Sequence, residues 1–361
     1  MEEAPAQTPS HGNRIPEVDG LRALAVGAVI VSHAFPRAAP GGGIGVDIFF
    51  VISGFVITRS LLFDSRDNGS ISLSSFYLRR VFRIFPALWA MTIATVVAGA
   101  CLGRPQWEGA LATLTSTMNW ARAFHILGGR ALGHAWSLSI EEQFYLLWPL
   151  TLIFLLRAPP RLRLGLLWVA LPAITLWRFV LLRHGADVDR LYGGLDTHMD
   201  GLLLGCIMAL AGKQPPKLLS RLWIVPLAAL MAMVAAATPE ATVLRGTIYL
   251  WTALLSAWLI WAAAGPETLL HPVLRSRVAQ WGGTRSYSLY LWHYPIIYFL
   301  IKTSLLAIVR VPLELGLSLL LAELSYRNVE LPALRARPRF QGFARQLFGR
   351  AATVTVRPAS Q

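Results

Sequence analysis

A near-continuous series of apolar stretches, each about long enough to cross a bilayer as a helix, leaves this 361-residue chain few possible folds. In hydrocarbon a helix satisfies its backbone polar groups internally, whereas an open sheet edge does not. Ten stretches qualify, near residues 18–37, 44–63, 84–103, 138–157, 163–183, 196–212, 219–238, 243–264, 286–307 and 309–329. With 55% hydrophobic and only 14% charged residues, an ordinary soluble domain is excluded. The expectation is an all-α polytopic membrane protein of about ten transmembrane helices. One integral domain, 14–333, is flanked by a polar tail, 1–13, and a basic tail, 334–361. Residues 108–130 have helical apolar spacing but carry Glu108, Arg122 and His125, so an amphipathic or re-entrant segment is expected there, in the loop before the fourth span.

Charge sets the expected orientation. With both termini cytoplasmic, roughly two thirds of the 33 lysines and arginines fall on the inner face, as the positive-inside rule requires. The net charge of +14 therefore reads as topology and lipid contact rather than a nucleic-acid footprint. The opening MEEAPAQTPSHGN lacks the basic region of a signal peptide, so the first span is expected to stay as an uncleaved anchor. Cys101 and Cys206 suggest neither a disulfide framework nor a metal site.

Ionisable groups are expensive inside a membrane, and this chain places them in layers. His33 falls in the outer third of the first span and Asp47 near the outer end of the second. Glu141 and Glu142 of the fourth span, and His198 and Asp200 of the sixth, are expected at the same depth. Arg22, Arg79, Arg80, Arg83 and Arg285 mark the opposite, inner layer. Arg80 and Arg83 share a helix face, and Pro86 is expected to end or kink that helix. Guanidinium forks suit pyrophosphate, although the same arginines would also serve as plain topological anchors.

Arg22 and His33 are eleven residues apart, roughly 16 Å at 1.5 Å per residue. That span matches an extended pantetheine arm. Acyl-coenzyme A, acetyl-CoA being the form expected, could thus leave its nucleotide among the arginines and present its acyl carbon to His33. It would be a co-substrate rather than a permanently bound cofactor. Asp47 is expected either to pair with His33 or to cap the second helix. His198 and Asp200 read as acceptor contacts or as a structural pair, and His293 reads equally as structural or catalytic. Gly41–Gly43 is a flexible turn and weak evidence for phosphate binding. No HxxxH or CxxC spacing points to a metal.

Seven segments, in order, give the chain a family resemblance: VDGLRALAVGAVIVSH, GGGIGVDIFFVISGFVIT, FYLRRVFRIFP, WSLSIEEQFYLLWP, LDTHMDGLLLG, SYSLYLWHYPII and LSYRNVELP. Over about residues 14–333 it resembles the acyltransferase-3 family of integral membrane acyltransferases. That family O-acylates envelope glycans such as lipopolysaccharide and peptidoglycan, and some members modify macrolides. The resemblance implies catalytic roles for His33, Asp47 and Glu141 and donor contacts from Arg22, Arg80 and Arg83. It also implies a multi-pass protein of the bacterial cytoplasmic membrane. The hydrolase-like domain that some members carry after the last span is expected to be absent.

The expected activity is transfer of an acyl group from acyl-coenzyme A to a hydroxyl of an extracytoplasmic carbohydrate. His33 would be the general base, Asp47 its orienting partner, and Glu141 would position the acceptor or assist proton removal. An acyl-histidine intermediate is the alternative mechanism. Acylation of a small metabolite such as a macrolide, a proton-coupled transporter and a non-catalytic scaffold are the competing functions. Expected partners are the bilayer and a carbohydrate or lipid-linked glycan, with no nucleic acid; self-association is left open.

Overall fold

A computed structural model describes residues 15–127, 130–212, 216–236, 242–348 and 353–355. The polar tail 1–13 and much of the basic tail beyond 348 lie outside these residues. The described chain is almost wholly helical. In order come α1 (Pro16–Ala34), α2 (Ile44–Asn68), α3 (Leu73–Cys101), α4 (Trp107–Leu114), α5 (Met118–Ala123), α6 (Trp136–Leu156) and α7 (Pro160–Arg183). There follow α8 (Val188–Gly193), α9 (Leu195–His198), α10 (Asp200–Ala211), α11 (Lys217–Arg221), α12 (Ile224–Ala235) and α13 (Thr242–Ala263). The last are α14 (Leu270–Leu274), α15 (Arg277–Leu300), α16 (Ala307–Ser325) and α17 (Leu331–Phe348). A π-helical turn, Tyr326–Glu330, joins the final two, and β1 (Ser70–Ser72) pairs antiparallel with β2 (Thr353–Thr355).

Local signals account for the main boundaries. Pro16 opens α1, where its missing N–H costs nothing, and Glu17 and Asp19 complement the positive end of the helix. Gly69, in the left-handed region, closes α2, and the Ser72 hydroxyl caps α3 by accepting from the Ser75 amide. Of the two outcomes expected at Pro86, an end or a kink, the helix does not end: α3 runs through it. In the stretch expected to be an amphipathic or re-entrant segment, the described residues form two short helices, α4 and α5, with positive φ at Ser116 and His125 beside the breaks.

Five helices among the described residues are long and apolar enough to cross a membrane: Ile44–Asp67, Leu73–Cys101, Gly133–Leu156, Pro160–Arg183 and Gly246–Ala263. They coincide with five of the ten expected spans. α1, α15 and α16 are 19, 24 and 19 residues long but carry more polar side chains. The expected sixth and seventh spans are realised as α10 and α12, only 12 residues each, or about 18 Å of helix. The distribution of side chains is that of a protein in lipid. Ile93, Val97, Phe154 and Val169 are exposed on the outside, while Asp47, Arg178, His198, Asp200, Glu314 and Glu330 are buried.

α1 packs chiefly on α15, and α2 on α10. The second contact is unusually close. A Cβ at Gly54 would run into the Leu202 carbonyl, and one at Gly205 into the Val51 carbonyl. Glycine at both positions lets the two backbones touch, which fixes the rotation of α2 about its own axis.

Candidate active site

At one end of the bundle, side chains from α1, α2, α3, α6 and α15 enclose a cavity of about 100 Å³. Arg22, Arg80 and Arg83 line it together with Ser53, Glu141 and Tyr145. Arg22 is paired with Asp19 at 3.2 Å, and Arg83 with Glu330 at 2.9 Å. Glu330 is buried on the π-helical turn, and its other oxygen accepts from the Ser288 hydroxyl. Arg80 differs: its guanidinium lies 4.8 Å from the Tyr145 ring centroid and 5.8 Å from that of Phe76. No carboxylate pairs with it among the described residues. Held by aromatic faces with its donors uncommitted, it is suited to an anion brought in from outside.

Two of the expected arginine layer stand apart from the cavity. Arg79 pairs with Asp64, and Arg285 pairs with Glu323 while lying 4.6 Å from the Tyr326 ring centroid. Glu141 is corrected in the other direction. It sits among the arginines and accepts from Ser53, whose hydroxyl in turn accepts from Tyr145 at 3.0 Å. The reason is depth: α6 begins at Trp136 beside the histidines described next, and Glu141 lies five residues, roughly 7 Å, further along the helix. Glu142 also lines the cavity and accepts from Ser116, with its second oxygen unpartnered.

Tyr290 also lines the cavity, and its ring lies against an imidazole group. Its ring centroid is 5.5 Å from those of both His134 and His293. The Tyr290 hydroxyl donates to the His134 carbonyl at 2.9 Å and lies 2.5 Å from Ser137 Oγ. His33 faces this group. Its Nδ1 is 3.0 Å from the Val29 carbonyl and 3.2 Å from His293 Nε2. His293 Nδ1 is itself 2.7 Å from the Tyr290 carbonyl. Carbonyls only accept, so His293 carries its proton on Nδ1 and offers an Nε2 lone pair. His33 Nδ1–H then donates to that lone pair and to Val29, leaving His33 Nε2 as the basic nitrogen. His134 Nε2–H donates to the Leu291 carbonyl at 3.1 Å, and its buried Nδ1 has no partner. Tyr294 completes the group, 5.0 Å from both His33 and His134.

The expected His33–Asp47 pair does not form. Asp47 Oδ1 is 2.6 Å from His198 Nε2, and His198 Nδ1–H donates to the Tyr192 carbonyl at 2.8 Å. One proton therefore lies between Asp47 and His198. His198 is enclosed by the rings of Trp136, Tyr192 and Tyr249. The close α2–α10 contact explains the exchange of partners. It turns Asp47 toward the α9–α10 junction, whereas α1 turns His33 toward α15.

Asp200 does not pair with His198 and does not line the arginine cavity. It holds the fully buried Arg178, at 2.9 Å and 2.8 Å through its two oxygens. Arg178 also donates to the carbonyls of Thr197 and Gly246, tying α7 to α9 and α13. The pair is a structural bolt. Among the described residues, no three His, Cys, Asp or Glu side chains are placed to hold a metal ion.

The structure gathers Arg22, Arg80 and Arg83 at one cavity, with Glu330 paired to Arg83, and sets His33 in the imidazole group with His134, Tyr290 and Tyr294. Sequence reasoning did not single out His134, Tyr290, Tyr294 or Glu330. His134 directly precedes the WSLSIEEQFY segment, and Glu330 ends the LSYRNVE segment, so both were within reach of a motif argument. Their depths were not, because hydropathy gives no depth to a residue in a loop or a π turn.

The family profile described as "acyltransferase domain" matches residues 15–325, which include every residue of the two ends except Glu330. The chain belongs to the acyltransferase-3 family. This acyltransferase-3 chain is 34% identical over 348 residues to the peptidoglycan O-acetyltransferase OatA of Listeria monocytogenes, covering 88% of this chain and 55% of that protein. It is also 34% identical to YrhL of Bacillus subtilis, by name a candidate peptidoglycan O-acetyltransferase, over 94% of this chain and 57% of that one. A candidate O-acetyltransferase of Staphylococcus aureus, SACOL0978, is 33% identical over 88% of this chain and 57% of its own. The chain thus spans a little over half the length of these relatives. No solved structure matches it.

Proposed function

We propose that this protein transfers an acetyl group from acetyl-coenzyme A to a hydroxyl of a cell-wall carbohydrate. One observation carries the reading. A cavity holding an uncommitted arginine, Arg80, is lined by Tyr290, whose ring lies against His293, and His293 in turn accepts from His33, whose Nε2 is left unprotonated. The coenzyme's phosphates would engage Arg80, with Arg22 and Arg83 beside it, and the pantetheine arm would run toward the imidazoles. By the positive-inside rule the arginine end would face the cytoplasm and the histidine end the outside, and the bacterial relatives support a bacterial cytoplasmic membrane as the setting. Acetyl as the group, and peptidoglycan as the carbohydrate, follow the names of OatA and its relatives.

In the proposed step the acceptor oxygen attacks the thioester carbon as its proton passes to His33 Nε2. The developing imidazolium is stabilised through Nδ1–H by His293 Nε2 and the Val29 carbonyl. Collapse of the tetrahedral intermediate breaks the C–S bond, and the thiolate takes the proton back from His33. The products are the ester and coenzyme A. Within this reading Glu141, placed among the arginines, acts on the donor side; it orders Ser53 and Tyr145 under Arg80.

The test is acceptor-dependent release of coenzyme A thiol by purified protein in proteoliposomes, with peptidoglycan fragments as acceptor. Release that His33→Ala abolishes supports the assignment. A wild-type protein that consumes no acetyl-coenzyme A with any glycan acceptor overturns it.

A further inference from the structure

A second and larger cavity, about 270 Å³, lies at the histidine end between the starts of α2 and α13, helix α8 and the end of α12. Its walls are mostly apolar and include Met233 and Ile248 and the rings of Tyr192 and Tyr249. Asp47 also lines it. One Asp47 oxygen is taken by His198; the other, and the hydroxyls of Tyr192 and Tyr249, have no hydrogen-bond partner among the described residues. Asp47 lines the cavity with capacity left to accept a hydroxyl from a ligand there. Aromatic faces, an apolar wall and a few convergent oxygens make a site for a ring that is apolar on its face and hydroxylated at its edge.

The turn that lines the cavity also packs on the end of α1 that carries His33. Gly42 packs on Ser32, the residue before His33, so closely that a Cβ would collide with the serine side chain. Gly43 faces the Tyr192 hydroxyl, and Gly41 donates to the Val234 carbonyl at 2.9 Å. Gly41 and Gly43 line the cavity. The three-glycine run therefore packs on α1 at Ser32 through Gly42 and lines the cavity through Gly41 and Gly43, next in sequence to the helix end that carries His33.

We propose that this cavity is a sugar-ring subsite of the acceptor, holding the ring next to the one that is acylated. This rests on the carbohydrate acceptor proposed above and deepens it: the substrate is an oligosaccharide, not a monosaccharide. A pyranose ring stacks on Tyr249 and donates a hydroxyl to the free oxygen of Asp47. The neighbouring ring crosses the glycine turn and presents its hydroxyl to His33 Nε2. Asp47 is thereby a substrate-binding residue held by His198, and His198 is a positioning residue.

The experiment measures binding without donor, so that it does not depend on turnover. The full-length protein in nanodiscs is titrated with the disaccharide of N-acetylglucosamine and N-acetylmuramic acid, and separately with each monosaccharide, by saturation-transfer NMR. Wild-type protein is expected to bind the disaccharide at least about tenfold more tightly than either monosaccharide. Thr252→Trp fills the cavity from α13 and should abolish that preference; Tyr249→Phe, which keeps the ring and loses only the hydroxyl, should weaken it severalfold. Disaccharide binding that is absent from the wild type, or equal in wild type and both variants, overturns the subsite. Acetyl-coenzyme A consumption in the same samples judges the proposed reaction separately. A protein that binds the disaccharide but consumes no thioester would sink the reaction and keep the site.

Discussion

His33 and His293 are joined by a single hydrogen, which His33 Nδ1 donates toward His293 Nε2 across 3.2 Å. They come from helices 260 residues apart in the chain. The direction of the bond is dictated by the Tyr290 carbonyl, which claims the other proton of the pair. A histidine oriented by a second histidine carries no fixed negative charge behind it. His33 therefore relies on neutral dipoles, not on a carboxylate, to hold its tautomer.

His33→Ala should lower acyl transfer by ~10²–10⁴-fold while the protein still accumulates in the membrane. His293→Phe should give a smaller loss, because His33 keeps the Val29 carbonyl as a partner for Nδ1–H. Coenzyme A release at saturating donor and acceptor separates the two. Equal losses would mean that His293 itself touches a reacting atom.

Arg80→Ala should raise the KM for acetyl-coenzyme A by about tenfold to a hundredfold, with the acceptor KM little changed. Arg80 is the arginine whose donors are uncommitted, so Arg83→Ala, which removes a guanidinium already paired with Glu330, should have the smaller effect. Steady-state kinetics with the donor varied decides the order. A changed topology with an unchanged donor KM would restore the anchor reading.

Glu330→Gln should also raise the donor KM, since it removes the carboxylate that holds the Arg83 guanidinium in place at the cavity while leaving a group that Ser288 can still bond. Combined with Arg83→Ala, it should add little to the single arginine variant, because the two side chains act as one unit. Full additivity would show that Glu330 acts on something other than Arg83.

Arg178→Met should destabilise the protein by about 3–5 kcal/mol, since it strands Asp200 as an uncompensated buried charge. Arg178→Met with Asp200→Leu should recover part of that loss. Thermal melting in detergent measures both. If Asp200→Asn instead leaves melting unchanged and raises the acceptor KM, the bolt is also an acceptor contact.

Acetyl-coenzyme A supplied on the arginine-rich face of oriented proteoliposomes should acylate glycan supplied only on the opposite face. Donor on the glycan side should be inert at matched concentration. A requirement for donor and acceptor on the same face would put the modification in the cytoplasm and favour a soluble metabolite as acceptor.

The sequence alone determined that the chain is helical and membrane-embedded, because apolar runs of this length leave no other way to satisfy the backbone. It also determined the distance between Arg22 and His33, since helical rise converts residue count directly into depth. Partner choice was a different matter. Which way a side chain points around its helix depends on what that helix packs against. Backbone contact at Gly54 and Gly205 turned Asp47 toward His198, and the packing of α1 on α15 turned His33 toward His293. The onset of α6 at Trp136 moved Glu141 to the arginines and brought His134, a loop residue on hydropathy, to the histidines. Hydropathy carries depth along an axis and nothing about rotation around it, so the pairs that make the chemistry were decided by tertiary packing.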